Sequence, residues 1–331
     1  MNLSEVSKRK NMAIAEPTVE EGPSMVNNKR WTWLAIAALV AFLLTGCGGG
    51  KDDNAAGGEP AGTEPADTPS ASAPADEDTG AAYQDGFYYA EADQFDEKSG
   101  WKYVVGLTVE NGKIVDVEWT GLHKDGGIDK KTLSMQGKYG LVEKGGAQSE
   151  WHEQAEKVEQ FLLDTQDPAA IQVKDDGTTD AVSGVTIKVN DFTMLVEKAL
   201  AAGPTEKGPY KDGRYHAEAD QFDEKSGWKD TVDVTVLGGK IFAVQWNAVH
   251  KDGGDDKLTR SRNGEYGMVA NGGAQAEWHE QAARMEQFLL EKQDPAAIPV
   301  DDGGYTDAVS GVTIHVDGFL DLVQKALANA K

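Results

Sequence analysis

Apolar and polar positions alternate in two neighbouring stretches, Tyr103 to Glu110 and Lys113 to Trp119, both rich in β-branched residues. Asn111-Gly112 between them tolerates the positive backbone angles of a two-residue hairpin turn, so the pair predicts an antiparallel hairpin. The period then changes. Between Gln148 and Thr165, the residues Trp151, Ala155, Val158 and Leu162 recur at i, i+4, i+7 and i+11, one face of a helix, and Pro168 follows as a stop. A second helix is expected from about Asn190 to Ala202, with Asn190 or Asp191 as N-cap and Phe192, Leu195, Val196 and Ala199 facing inward. Strands followed by helices in this order predict an α+β fold.

The whole pattern occurs twice. Thr179 to Ile187 is repeated letter for letter at Thr306 to Ile314, 127 residues later, and the same offset superimposes Ala90 to Lys102 on Ala217 to Lys229. It also superimposes His123 to Gly127 on His250 to Gly254, and Glu150 to Ala155 on Glu277 to Ala282. Gly238-Gly239 takes the place of Asn111-Gly112 and suits the same turn. Two tandem copies of one small α+β domain are therefore expected, at residues 83–203 and 210–331, joined by a breaker-rich linker at 204–209.

One long apolar run stands outside this pattern, Trp31 to Leu44, preceded by Lys29-Arg30. It falls short of the roughly 20 residues of a spanning helix and reads as a signal peptide covering 1–46. Leu44-Thr45-Gly46-Cys47 resembles the lipobox of bacterial lipoproteins, which implies that Cys47 is lipidated and becomes the new N-terminus. Met25, followed by Val-Asn-Asn-Lys-Arg, is the better expected start, because residues 1–24 make a long leader of mixed charge. Residues 47–82 then consist of Gly, Ala, Pro, Ser, Thr and acidic residues with scarcely an aromatic, a composition that predicts a disordered acidic tether. Such a chain spans on the order of 5 to 6 Å × √n.

Composition narrows the function. A net charge of −24 over 331 residues repels nucleic acid and anionic lipid headgroups, so neither is expected as a partner. Cys47 is the only cysteine, which excludes a disulfide, a Cys-x-x-Cys-His haem site and a cysteine-ligated iron–sulfur cluster. Any redox chemistry has to come from another cofactor.

The repeated nonapeptide is the most chemically loaded stretch of each copy. An acidic residue, two small apolar residues, a Ser-Gly pair and a Thr two places after the Gly place a hydroxyl on an exposed bend, because Gly permits φ > 0 there. Read by itself, the stretch is a strand end plus a Ser-Gly turn. It also resembles the flavinylation motif of FMN-binding domains, Asp-x-x-Ser/Thr-Gly-Ala-Thr, in which a transferase joins the FMN phosphate to the Thr hydroxyl as a phosphoester. The resemblance implies covalent FMN at Thr186 and Thr313, with Asp180, Ser183, Gly184, Asp307, Ser310 and Gly311 completing the two motifs. Val185 and Val312 depart from it, standing where that family usually has Ala, and are expected either to slow the transferase or to line the pocket. Thr186 lies shortly before the second helix, whose N-terminus favours an anionic phosphate.

Three further groups bear on this reading. His123-Lys124-Asp125-Gly126-Gly127 and its twin from His250 resemble the His-containing region that comes near the flavin in the same family, which makes His123 and His250 candidate flavin contacts, with a plain loop as the other reading. Trp151-His152-Glu153-Gln154-Ala155 lacks the second His of a zinc-binding His-Glu-x-x-His, position 156 being Glu, so no metal is expected. Phe95, Trp101 and Trp119, repeated as Phe222, Trp228 and Trp246, are expected in the core, with one of them available to stack on a flavin ring.

The resemblance as a whole points to the FMN-linked lipoproteins of flavin-based extracellular electron transfer in Gram-positive bacteria. It implies an electron carrier on the outer face of the cell membrane rather than an enzyme with its own substrate. Its partners would be a flavin transferase, a membrane electron donor such as a quinone-linked dehydrogenase, and extracellular electron acceptors. The alternative is a non-redox surface lipoprotein that binds a small solute or partner.

Overall fold

A computed structural model describes residues 83–331. The leader, Cys47 and the tether lie outside these residues. Among the described residues, no helix is long and apolar enough to cross a membrane.

The first copy is a mixed α/β unit built on a three-stranded antiparallel sheet, β1 (Gly86–Glu91), β2 (Trp101–Glu110) and β3 (Lys113–His123), in the order β1-β2-β3. The expected hairpin joins β2 to β3, with Asn111 at φ 53° and Gly112 at φ 72°. The strands run further than the alternation suggested, and β1 was not anticipated. Its six residues include four aromatic or small apolar ones with no clean period, and its pairing with β2 over the whole length is what makes it a strand.

Helices α1 (Lys130–Met135), α2 (Trp151–Thr165) and α3 (Asn190–Ala202) follow. α2 begins three residues later than expected because Glu150 is spent as its cap: the Glu150 N–H donates to Glu153 at 2.7 Å, while the Glu150 carboxylate accepts from the N–H groups of Leu141 and Val142. It ends at Gln166, in the left-handed region, and Pro168 opens a short 3-10 turn. α3 has the expected bounds but not the expected cap. Val189 occupies that position and donates its N–H to the Gly177 carbonyl at 2.7 Å, so Asn190 is already helical and Asp191 sits in the first turn.

The second copy repeats the plan with β4 (Gly213–Glu218), β5 (Trp228–Leu237), β6 (Lys240–His250), α4 (Lys257–Arg262), α5 (Met268–Gly272), α6 (Trp278–Lys292) and α7 (Asp317–Leu327). Each copy has its own core. In the first, Val105, Leu107 and Val109 of β2 meet Trp119, Val158, Leu162, Phe192 and Val196; in the second, Val232, Val234 and Val236 meet Trp246, Met285, Leu289, Phe319 and Val323.

The other face of β2 is buried as well, which is why its alternation is blurred. Val104 packs with Phe87 and with Leu237 of the second copy. Gly106 lies so close to that Leu237 that a Cβ there would come within 2.7 Å of its methyl group. The linker is part of this contact rather than a free strap. Thr205 donates its N–H to the Phe87 carbonyl at 2.6 Å, Gly208 donates to Gly238, and Tyr210 donates to Gly239.

Between the copies lies a buried polar network. Asp129, fully buried, accepts from the hydroxyls of Thr120 (2.6 Å) and Thr132 (2.5 Å) in its own copy and of Thr235 (2.6 Å) in the other. Arg214 of the second copy donates to Thr132 Oγ1 at 2.8 Å and pairs with Glu118. Burial pushes the Asp129 carboxyl up, but Arg214 and the three hydroxyls outweigh it and hold the group below the usual carboxylate range.

Candidate functional site

The nonapeptide forms an exposed turn on a buried footing. Thr179 donates its hydroxyl to the Ile171 carbonyl, and Val182 and Val185 point into the core, while Asp180, Ser183, Gly184 and Thr186 are exposed. Val185 and Val312, 7% and 8% exposed, pack into the cores of their copies. They are core residues, where the larger side chain fills apolar volume. Gly184 and Gly311 both sit at φ 76°, a conformation that strains any residue with a Cβ.

A side chain unnoticed in the sequence holds this turn. Gln154 Oε1, from a residue only 1% exposed, accepts from Thr186 N (2.7 Å), Thr186 Oγ1 (3.2 Å) and Ile187 N (3.2 Å), and Gln154 Nε2 donates to the Ser149 carbonyl at 3.0 Å. Gln281 treats Thr313 alike, at 2.7 Å to N and 3.2 Å to Oγ1. The signal was present: Gln154 falls on the same helix face as Trp151 and Val158, and a polar residue in an apolar stripe needs a partner. Each turn also has a cation over its glycine. Arg284 Nη1 donates to the Gly311 carbonyl at 2.6 Å, and the corresponding Lys157 Nζ lies 2.9 Å from where a Cβ on Gly184 would be. In the first copy Lys174 further pairs with Asp180 at 3.0 Å; Asp307 and Ser310 of the second are exposed like their counterparts.

His123 and His250 close the third strand of each sheet. His123 packs edge-on against Trp101 at 5.0 Å, its Nδ1 accepts from the Asp125 N–H at 3.3 Å, and its Nε2 abuts Gly100; His250 repeats this against Trp228 at 4.9 Å. Neither has a hydrogen bond to its motif threonine among the described residues. His152 and His279, next to the core tryptophans Trp151 and Trp278, meet the hydroxyls of Ser134 and Ser261 at 2.9 and 2.8 Å. Among the described residues, no group of three His, Cys, Asp or Glu is placed to hold a metal ion.

Of the singled-out aromatics, Trp119, Trp246, Trp101 and Trp228 are buried as expected, whereas Phe95 and Phe222, also expected in the core, are exposed. Trp101 belongs to a cage that the sequence did not disclose. Lys130, 2% exposed, places its ammonium 4.5 Å from the Tyr103 ring, 4.9 Å from Tyr139 and Trp151, and 5.4 Å from Trp101, with the Tyr103 hydroxyl at 2.5 Å. Burial lowers its pKa to about 7, against the opposing pull of Asp191 and Asp96.

In the second copy Lys257 lies over Trp278 (4.5 Å), Tyr266 (5.4 Å) and Trp228 (6.0 Å), and Asp230 replaces Tyr103. Burial lowers Lys257 and raises Asp230, each opposed by the other's charge. Both line an open cleft of about 820 Å³ together with Trp228, Phe222, His315 and Asp317, the last two just beyond Thr313. That volume lies within the range of small-molecule sites.

The indole N–H groups of Trp119 and Trp246 are buried and have no hydrogen-bond partner. Trp246 is near enough to Asp230, on the cleft wall, to oppose the burial that raises that carboxyl. A buried donor left unpaired costs about 1 to 3 kcal/mol.

Fold and site together define a duplicated α/β domain, each copy presenting a glutamine-pinned threonine on a Ser-Gly turn and an aromatic-caged lysine. No family model matches the chain. It is similar to the 15 kDa lipoprotein of Treponema pallidum (strain Nichols), 28% identical over 145 residues, which is 44% of this chain and 92% of that protein. Among solved structures, it is similar to a Clostridium thermocellum protein determined by solution NMR, with 64% identity over 36% of this chain and 91% of that one and a TM-score of 0.30. A crystal structure of the CPE2226 protein from Clostridium perfringens shares 26% identity over 37% of this chain and 88% of that one, also at a TM-score of 0.30.

Proposed function

We propose that this protein is a lipid-anchored, extracytoplasmic electron carrier with one FMN bound covalently through phosphate to Thr186 and a second to Thr313. The observation that carries the reading is the exposed hydroxyl at each position, held in place by a buried carboxamide within a motif that is the flavinylation pattern but for one core valine. Gln154 and Gln281 fix the turn through its backbone N–H groups, so the turn keeps its shape once the hydroxyl is esterified. Lys157 and Arg284 bring positive charge to the turn in a strongly acidic protein, and so favour a phosphate there. FMN would supply the redox chemistry; the chain supplies position and electrostatics. Covalent attachment suits an exposed location, where a reversibly held cofactor is lost by dilution.

Anchoring through Cys47 is supported by the lipobox-like stretch and by the likeness to a named lipoprotein. The proposed partners are a flavin transferase, a quinone-linked or similar membrane donor, and extracellular acceptors.

Intact-mass analysis of protein made in transferase-containing cells tests the reading. Two additions of FMN less water are expected on the wild-type chain, one on Thr186→Ala or Thr313→Ala, and none on the double variant, with flavin fluorescence surviving denaturing electrophoresis. A colourless wild-type protein from such cells would overturn it in favour of a non-redox surface lipoprotein that binds a solute or partner.

A further inference from the structure

We infer that the two copies hold their redox groups at unequal potentials, the second copy below the first, because Asp230 and further carboxylates line the cleft next to the second threonine turn, where the first copy has Tyr103. The inference rests on the flavin reading above and deepens it. The copies are therefore not interchangeable carriers but an ordered pair.

The cleft of the second copy is lined by Asp223, Glu224, Asp230, Asp317 and Asp321, against one lysine, Lys257. At the corresponding positions of the first copy stand Asp96, Glu97, Tyr103, Asn190, Met194 and Lys130. Asp191 adds a carboxylate where the second copy has Gly318, and Lys188 adds a cation where it has His315. Five carboxylates facing one lysine thus correspond to three facing two. Most of the outer carboxylates are exposed and screened by solvent. The substitution that matters most is the half-buried one beside the lysine. Tyr103 gives Lys130 a neutral hydroxyl at 2.5 Å, whereas Asp230 puts a carboxylate on the cleft wall with Lys257.

Reduction of a flavin adds negative charge to its ring system, and a fixed anion nearby in a medium of reduced dielectric opposes that addition. The exchange between copies needs no third reactant. The electron pair and proton given up by the group on the second copy are those taken up by the group on the first, so flow runs from the second copy to the first.

Spectroelectrochemical titration of the two single-threonine proteins tests this. Thr313→Ala leaves the first site loaded and Thr186→Ala the second, and intact mass verifies the loading before any titration. Among singly reduced molecules of the wild-type chain, those reduced at the first site should outnumber those reduced at the second by at least about tenfold, which is about 30 mV for a two-electron couple. Asp230→Tyr in the Thr186→Ala chain should raise the second site's potential toward that of the first. Asp230→Asn gives the same test with a smaller change of shape should the tyrosine not fit. In protein made without the transferase, NMR titration should find the Lys257 ammonium deprotonating at higher pH than that of Lys130. Equal potentials in loaded proteins, or no response to either Asp230 variant, would overturn the inference and leave the flavin reading standing. If neither protein carries the added mass, both fall together.

Discussion

The two copies agree around the threonine and disagree on the face where they meet. Gln154 and Gln281 hold their threonines at the same distances, Gly184 and Gly311 share φ 76°, and Lys157 and Arg284 bring a cation to each turn. On the facing side, Lys131 of the first copy bridges Glu159 at 2.7 Å and Glu118 at 3.2 Å, with Arg214 of the second copy closing the group. The second copy has Leu258, Glu286 and Gln245 at these positions, and Glu286, accepting from the Trp246 N–H at 2.7 Å, has no ion pair among the described residues. The contact between copies is not two-fold. Arg214 reaches Glu118, yet its counterpart Phe87 packs on Leu237 rather than on Gln245, the counterpart of Glu118. A head-to-tail contact covers different surface on each partner, so after duplication the two faces came under different constraints while the threonine sites stayed alike.

The largest expected effect breaks the contact itself. Asp129→Ala leaves Arg214 and three hydroxyls short of a buried acceptor, and should cost about 3 to 5 kcal/mol in urea unfolding. Asp256, its counterpart, caps α4 by accepting from the Thr259 N–H at 2.8 Å and has no Arg214-like partner among the described residues, so Asp256→Ala should cost about 1 kcal/mol. Equal losses would mean that the network is no more than a pair of caps.

Glu286 predicts a pH response of its own: burial raises it as it raises its counterpart Glu159, but Glu159 is held by Lys131 and Glu286 by no ion pair among the described residues. Burial raises its pKa from the ordinary 4.5 to about 7, so the folded state holds a proton there that the unfolded state has released. Its contribution is therefore most favourable below about pH 4.5, is lost as pH rises toward 7, and stays lost above that, a total of about 2 to 4 kcal/mol. Glu286→Gln keeps the acceptor for Trp246 and removes the charge. Unfolding curves from pH 4.5 to 8 should therefore run flatter for the variant than for the wild-type chain, with the gain in stability at pH 8. A variant that tracks wild type in parallel would show that Glu286 ionises freely.

The smallest effect sharpens the likeness instead of the difference. Gln154→Leu and Gln281→Leu each remove an acceptor shared by backbone and hydroxyl donors that are partly open to water, which should cost about 1 to 3 kcal/mol. The two losses should match, and each should lower flavin loading in its own copy, read by intact mass. Losses that differ severalfold between copies would contradict the equivalence of the two turns.

Local pattern settled a good part of this protein. The bounds of α3, the turn at Asn111-Gly112 and the internal repeat were all legible, because each rests on neighbours a few residues apart or on direct comparison of two stretches. So were the candidate threonines and their glycines, since a positive-φ turn is a local demand. Long-range pairing decided the rest. β1 exists because β2 pairs with it, and β2 loses its alternation because Val104 and Gly106 face the second copy. The valines that broke the motif proved to be core residues, which no spacing rule reveals. Lys130 reads in sequence as one of two adjacent lysines at the start of a helix. Only the fold gathers Trp101, Tyr103, Tyr139 and Trp151 around it, from one strand, one loop and one helix, and it is that burial which lowers its pKa to about 7.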